Sequence, residues 1–217
     1  MSQFATWLDT FFAPFDRALL EFWHSVATSV GGFMTPIMEL ISLTGEKGIL
    51  MILLGLILLL FPKTRKAGIC VVFAIACGAL ITNITLKPII ARARPYETSL
   101  IYRSFWEMVG ASVEGDLSFP SGHATATAAA MVALTLSRGK KYLWLCVPYV
   151  ALMCASRNYL MVHYPSDVLA GVIAGIIGAI VAFVITKYIY KALEKNSEKK
   201  FCNFALNSDI CNLFKGK

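Results

Sequence analysis

The sequence predicts an all-α integral membrane protein: a helical bundle with five transmembrane helices, or six, and interfacial helices at its N-terminus. Three observations carry this. Of the 217 residues, 57% are hydrophobic and 15% charged, with a mean hydropathy of +0.66; soluble domains carry about 25% charged residues. Stretches 67–86, 117–137 and 168–186 hold no formal charge, and a helix crosses the hydrocarbon core with about 20 apolar residues. Basic residues cluster in the short connections between such stretches.

Residues 17–42 are apolar but interrupted by Glu21, His24, Gly31, Gly32, Pro36 and Glu39. Burying those carboxylates in a spanning helix is costly. Two amphipathic helices in the interface fit better, with Trp7 and Trp23 as anchors; a sixth span here is the alternative. Five spans follow, at 45–62, 67–90, 121–138, 141–158 and 167–190. Two of them have short uncharged centres, 48–62 and 142–156, which reach across if flanking lysines snorkel. The chain thus divides into interfacial helices (1–44), a transmembrane core (45–191) and a tail (192–217). The first fifteen residues carry no positive charge and no long apolar centre, so no signal peptide is expected.

Lys63, Arg65 and Lys66 lie between the first two spans, and Arg138, Lys140 and Lys141 between the third and fourth. Lys187, Lys191, Lys195, Lys199 and Lys200 follow the fifth. Five crossings put all three clusters on one side, which the positive-inside rule makes cytoplasmic. Segments 91–119 and 158–166 then face outward. The formal net charge of +7 is mostly this topological signal, so nucleic-acid binding is not expected. The six cysteines show no metal-ligand spacing and read as apolar fillers and free thiols.

The outward ends collect polar residues. Lys87, Arg92 and Arg94 close the second span. Ser121, Gly122 and His123 open the third. Ser156 and Arg157 end the fourth, and His163 and Asp167 lead into the fifth. Each group has a plain structural reading alone: snorkelling cations, a helix cap, an interfacial histidine. Lys87 and Arg94 are seven apart, two turns on one helical face, a spacing suited to an anion. Ser121 can cap a helix whose N–H groups and dipole attract an anion, with His123 in its first turn. Asp167, four residues after His163, can orient one imidazole nitrogen and leave the other free. Taken together, these residues predict an oxyanion-handling active site.

Lys87 to Pro95 reads Lys-x6-Arg-Pro, 120–123 reads Pro-Ser-Gly-His, and 156–167 reads Ser-Arg-x5-His-x3-Asp. This ordered set resembles the signature of the type 2 phosphatidic acid phosphatase superfamily. The resemblance implies that Lys87, Arg94 and Arg157 hold phosphate oxygens, with Ser121 and the Gly122 N–H. It implies that His163 attacks phosphorus, that Asp167 orients it, and that His123 protonates the leaving oxygen and then activates water, without a metal or other cofactor. One departure is expected: many membrane members have six spans, the first ahead of an interfacial stretch, and residues 1–16 are too short to supply it.

The expected function is hydrolysis of a lipid phosphate, first undecaprenyl pyrophosphate, with phosphatidylglycerophosphate and phosphatidate as alternatives. Arg92 is a cation available to a second phosphate. Segment 96–119 is a candidate lid, with Phe105, Trp106 and Met108 dipping into the interface or serving as ordinary belt residues. The expected partners are the lipid substrate and membrane lipids. A lipid flippase or anion transporter is the alternative of a different class. An anion pathway has no need of His163 paired with Asp167.

Overall fold

The structure is a computed structural model that describes residues 2–30 and 32–208. Its ordered elements are all helical among the described residues. Helix α1 (Gln3–Phe11) starts at Ser2, whose hydroxyl accepts from the Ala5 N–H at 3.1 Å. Helix α2 (Ala13–Ser29) follows, with proline in its first turn, where a missing N–H costs nothing. Both are amphipathic, burying Ala5, Leu8, Leu20 and Ala27 while Phe4, Phe11 and Phe15 stand exposed. Of the two expected anchors, Trp7 is exposed. Trp23 instead packs edge-on against Tyr159, ring centroids 6.3 Å apart.

Helix α3 (Thr35–Thr44) and helix α4 (Ile49–Leu59) are joined by one turn of 3-10 helix. Lys47 and Gly48 there take left-handed φ values of 49° and 68°. The turn bends the helical path without ending it, so the apolar stretch runs from Thr35 to Leu59, starting earlier than the predicted 45. Helix α5 (Pro62–Ala79) widens into a π-helical stretch, Leu80–Leu86, and ends in the short helix α6 (Lys87–Ile90). Helices α7 (Pro95–Thr98) and α8 (Leu100–Val109) form the expected lid region. Helices α9 (Gly122–Arg138), α10 (Leu143–Tyr159), α11 (Pro165–Lys195) and α12 (Lys200–Asn207) complete the chain.

Among the described residues, three stretches are long and apolar enough to cross a membrane: Thr35–Leu59, Pro62–Thr98 and Pro165–Lys195. Helices α9 and α10 have 17 residues each, at the short end of the roughly 17–25 residues a span uses.

The centre of the bundle is α5, α9 and α11, packed through Ala74, Ala129, Ala133, Ala179 and Ala182. Helix α11 meets α9 backbone to backbone. A Cβ on Gly171 would stand 2.5 Å from the Ser121 carbonyl oxygen, and one on Gly175 2.5 Å from that of Thr125. Helices in lipid associate by such close packing, because lipid tails remove the hydrophobic drive between them.

The basic connections meet at one end. Arg138 donates to the Lys63 carbonyl at 2.8 Å, Lys66 lies over the Tyr190 ring, and Arg65 donates to the Ala205 carbonyl at 3.0 Å. That contact ties α12, with Phe201 and Phe204 exposed, to the bundle. Residues 209–217 of the predicted tail, with Cys211, lie outside the described residues.

In the lid region only Met108 is exposed among the three residues singled out from sequence. Phe105 stacks on His24 at 3.6 Å between centroids, and Trp106 stacks on Tyr96 at 4.8 Å. Both rings therefore pin α8 to neighbouring elements.

Candidate active site

The end of the bundle opposite the basic connections gathers the polar residues. Ser121 caps α9, and its N–H donates to the Asp167 carbonyl at 3.0 Å. The first turns of α9 and α11 are thereby joined. The π-helical stretch brings Asn83 and Lys87 toward this junction: a Cβ on Gly122 would lie 3.3 Å from Asn83 Oδ1 and 4.0 Å from Lys87 Nζ. Glycine keeps that approach open.

Lys87 and Arg94 do meet, although not on one helical face. Helix α6 ends at Ile90 because Ala91 adopts φ 51°, and Arg94 is extended at φ −80°, ψ 157°. The linker carries the Arg94 guanidinium back to the site. There Nε donates to the Asp116 carbonyl at 2.9 Å and Nη1 to the Val162 carbonyl at 2.6 Å. Arg157, at the end of α10, donates to Ser42 Oγ and to the Glu114 carboxylate.

His163 is 1% exposed, between α10 and α11. Its Nε2 lies 3.4 Å from Arg94 Nη1, and its Nδ1 lies 3.7 Å from Asp167 Oδ2. The expected Asp167–His163 hydrogen bond is therefore not made. Asp167 is already committed: Oδ2 accepts from Ser118 Oγ and, at 3.0 Å, from the Tyr164 N–H, while Oδ1 accepts from Arg92. Burial, then the charges of Arg94, Arg157 and Lys87, hold the His163 pKa well below its ordinary value, because an imidazolium there would be both desolvated and repelled.

His123 and His163 line one cavity of about 500 Å³ with Lys87, Arg94, Asn83 and Gly122. A second cavity, of about 600 Å³, adjoins it at His123 and Glu114 and is lined by Glu39, Ser42, Glu46 and Arg157. The structure thus brings Lys87, Arg94, Gly122, His123 and His163 together around one space, with Arg157 beside it and Ser121 and Asp167 directly behind.

Sequence reasoning missed two carboxylates in the loop between α8 and α9, within the segment expected as a lid. Asp116 pairs with both Lys87 and Arg94, and Glu114 pairs with Arg157. Each cation assigned to phosphate already faces a carboxylate. Burial alone would raise the pKa of these acids, but Arg157 beside Glu114, and Lys87 with Arg94 beside Asp116, outweigh it and lower both. Arg92 is a correction too. It does not line either cavity but pairs with Asp9, Asp16 and Asp167 on the far side of His163. The carboxylates Asp9 and Asp16, set among apolar and aromatic residues, were the sequence signals of that cluster.

A model of the PAP2 superfamily matches residues 67–191. The chain is 36% identical over 113 residues to a decaprenylphosphoryl-5-phosphoribose phosphatase of Mycolicibacterium smegmatis, covering 51% of this chain and 55% of that protein. It is 32% identical over 120 residues to an undecaprenyl-diphosphatase of Sulfolobus acidocaldarius, covering 53% of each. A Mycobacterium tuberculosis decaprenylphosphoryl-5-phosphoribose phosphatase is 36% identical over 130 residues, covering 57% of this chain and 63% of that protein. The chain spans little more than half the length of these curated relatives. No solved structure gives a significant match.

Proposed function

The chain belongs to the PAP2 superfamily, and from that premise we propose that it hydrolyses the terminal phosphate of a polyprenyl lipid through a phosphohistidine. The observation that carries this reading is the placement of His163 Nε2 beside Arg94, in the cavity it shares with Lys87 and His123.

In this reading Lys87, Arg94 and Arg157 neutralise the phosphate oxygens, with the Gly122 N–H and the α9 dipole, in a site where fixed charges need no reorganisation. Substrate phosphate displaces the Asp116 and Glu114 carboxylates. His163 Nε2 then forms a bond to phosphorus while the bond to the leaving oxygen breaks, and His123 gives that oxygen a proton. In the second half His123 takes a proton from water. The water oxygen attacks phosphorus, the P–N bond breaks, and inorganic phosphate leaves. Ser121 holds the start of α9, and Asp167 stabilises the imidazole as it becomes positive.

The protein lies in the cytoplasmic membrane with this site on the outer side and the basic end, including the C-terminal segment, inside. The support is the meeting of the basic connections at one end together with the positive-inside rule.

Undecaprenyl pyrophosphate remains one substrate reading. A specific observation favours a second: a phosphate monoester on a lipid-linked sugar. Glu39 and Glu46 line the cavity beside His123, where they disfavour a second phosphate and accept hydrogen bonds from hydroxyls. Phosphate release from both lipids, and from phosphatidylglycerophosphate and phosphatidate, tests the choice. An acid-labile phosphoenzyme, absent in His163→Ala, tests the mechanism. Release from none of the four, with lipid or anion movement across vesicles instead, would establish the flippase or transporter reading.

A further inference from the structure

Two arginines two positions apart reach opposite sides of His163. Arg94 faces Nε2; Arg92 faces Asp167, the carboxylate next to Nδ1. Arg92 is 1% exposed, and all three of its guanidinium nitrogens donate. Nε donates to Asp9 Oδ1 at 2.8 Å, Nη2 to Asp16 Oδ2 at 2.9 Å, and Nη1 to Ser166 Oγ at 2.8 Å and to Asp167 Oδ1. Its Cζ lies over the Tyr164 ring, 3.9 Å from the centroid. Asp16 also accepts from the Ser166 N–H at 2.8 Å and from Ser166 Oγ at 2.7 Å.

A buried cation among three carboxylates is more than a helix anchor. Asp167 is 0% exposed, and Arg92 is the one cation paired with it among the described residues. Ser118 and the Tyr164 N–H fix the other carboxylate oxygen. Both oxygens are therefore held, and with them the position of the negative charge relative to His163 Nδ1.

We infer that Arg92 is a positioning residue for the phosphatase reaction. It acts through Asp167 on the nucleophile His163, and Asp9 of α1 and Asp16 of α2 complete its socket. The inference rests on the reading of His163 as the nucleophile. It gives the N-terminal helices a part in turnover: they hold the arginine that holds the aspartate. Lysine keeps the charge at position 92 but loses the fork and the guanidinium's contact with the Tyr164 ring.

The test compares full-length wild type, Arg92→Lys, Arg92→Gln and His163→Ala in detergent, with active sites counted by trapped phosphohistidine. Arg92→Gln should lower kcat per site by at least about 10-fold, short of the roughly 10⁴-fold loss when a triad aspartate is neutralised. KM and inhibition by inorganic phosphate should stay near wild type, because the cations of the phosphate site are untouched. Arg92→Lys should recover part of kcat, and it carries the test if Arg92→Gln does not fold. Wild-type kcat per site in the folded Arg92 variants, with only the number of sites reduced, would overturn the inference and leave a purely structural role. An increase in KM as large as the loss in kcat would also overturn it. Turnover by His163→Ala would instead sink the nucleophile reading itself, a distinguishable result.

Discussion

Asp116 holds Arg94 twice: its carboxylate accepts from a terminal guanidinium nitrogen, and its backbone carbonyl accepts from Nε at 2.9 Å. The same carboxylate pairs with Lys87. It occupies the place that the proposed mechanism reserves for a phosphate. Asp116→Asn should therefore tighten binding of inorganic phosphate, lowering its inhibition constant about 3- to 10-fold, the scale of one partly exposed charge-assisted contact. Unchanged or weaker phosphate binding would show that the pairing does not compete with substrate.

Protonation bears on the loop with a definite sign. The pKa values of Glu114 and Asp116 are lowered, so their ion pairs stabilise the folded loop above the ordinary carboxylate range. That contribution disappears as pH falls through the lowered values. Backbone hydrogen-exchange protection at 112–117 should be flat from about pH 5 to 8 and drop below about pH 4. A drop near pH 6 would assign the clamp to a histidine.

His163 gives a second pH signature. Its pKa lies well below the ordinary value, so the imidazole stays neutral through the mildly acidic range, with a nitrogen free for the proposed attack. An acid limb in kcat/KM near pH 6 should then follow the second ionisation of the substrate phosphate, about 6 for a simple ester. It should move when an electron-withdrawing ester shifts that ionisation. A limb fixed near 6.5 for every substrate would contradict the neutral nucleophile.

His123→Ala should cost most with a poor leaving group. Loss of a general acid removes about 10²–10⁴-fold in rate for an alkyl phosphate, and far less of the phosphorylation step for a nitrophenyl phosphate. Because the proposed mechanism also has His123 activate water, the aryl substrate should show a burst followed by slow turnover. Equal loss of the burst rate on both substrates would remove His123 from the leaving-group side.

Gly175→Val should loosen the bundle. Its Cβ would fall 2.5 Å from the Thr125 carbonyl oxygen and 2.8 Å from Ala128 Cβ, an overlap costing about 1–3 kcal/mol or more. Thermal unfolding in detergent should begin several degrees lower, with reduced activity, since the same seam joins Ser121 to Asp167. An unchanged melting temperature would mean that α11 is not held at this distance.

Part of the cavity lining was legible because three short strings supply both its histidines together with Lys87 and Arg94. Lys87, Arg94, Gly122, His123 and His163 share a cavity, as the polar ends of three hairpins predicted. The helical argument for Lys87 and Arg94 failed at Ala91, whose left-handed backbone leaves no signal in an alanine. Arg92 looked like another phosphate ligand because spacing does not reveal which side of a bent linker a long side chain takes. Its partners Asp9 and Asp16 are more than 70 residues away, a separation that local pattern cannot bridge. Glu114 and Asp116 were hidden in the same way, inside a loop with no periodicity. The first apolar stretch begins at Thr35 rather than at 45, a start obscured by Pro36 and Glu39, which interrupt the apolar pattern just where the helix sets in.

The paired loop carboxylates also bear on which lipids a phosphate site embedded among phospholipids will ignore. Two negative charges leave the cations when Glu114 and Asp116 are displaced. A terminal phosphate, carrying about −1.5 to −2 near pH 7, restores that balance. A phosphodiester headgroup brings a single charge, too little to replace what it evicts. In the proposed mechanism, bulk bilayer lipid is thus turned away by charge, before any feature of tail or headgroup is tested.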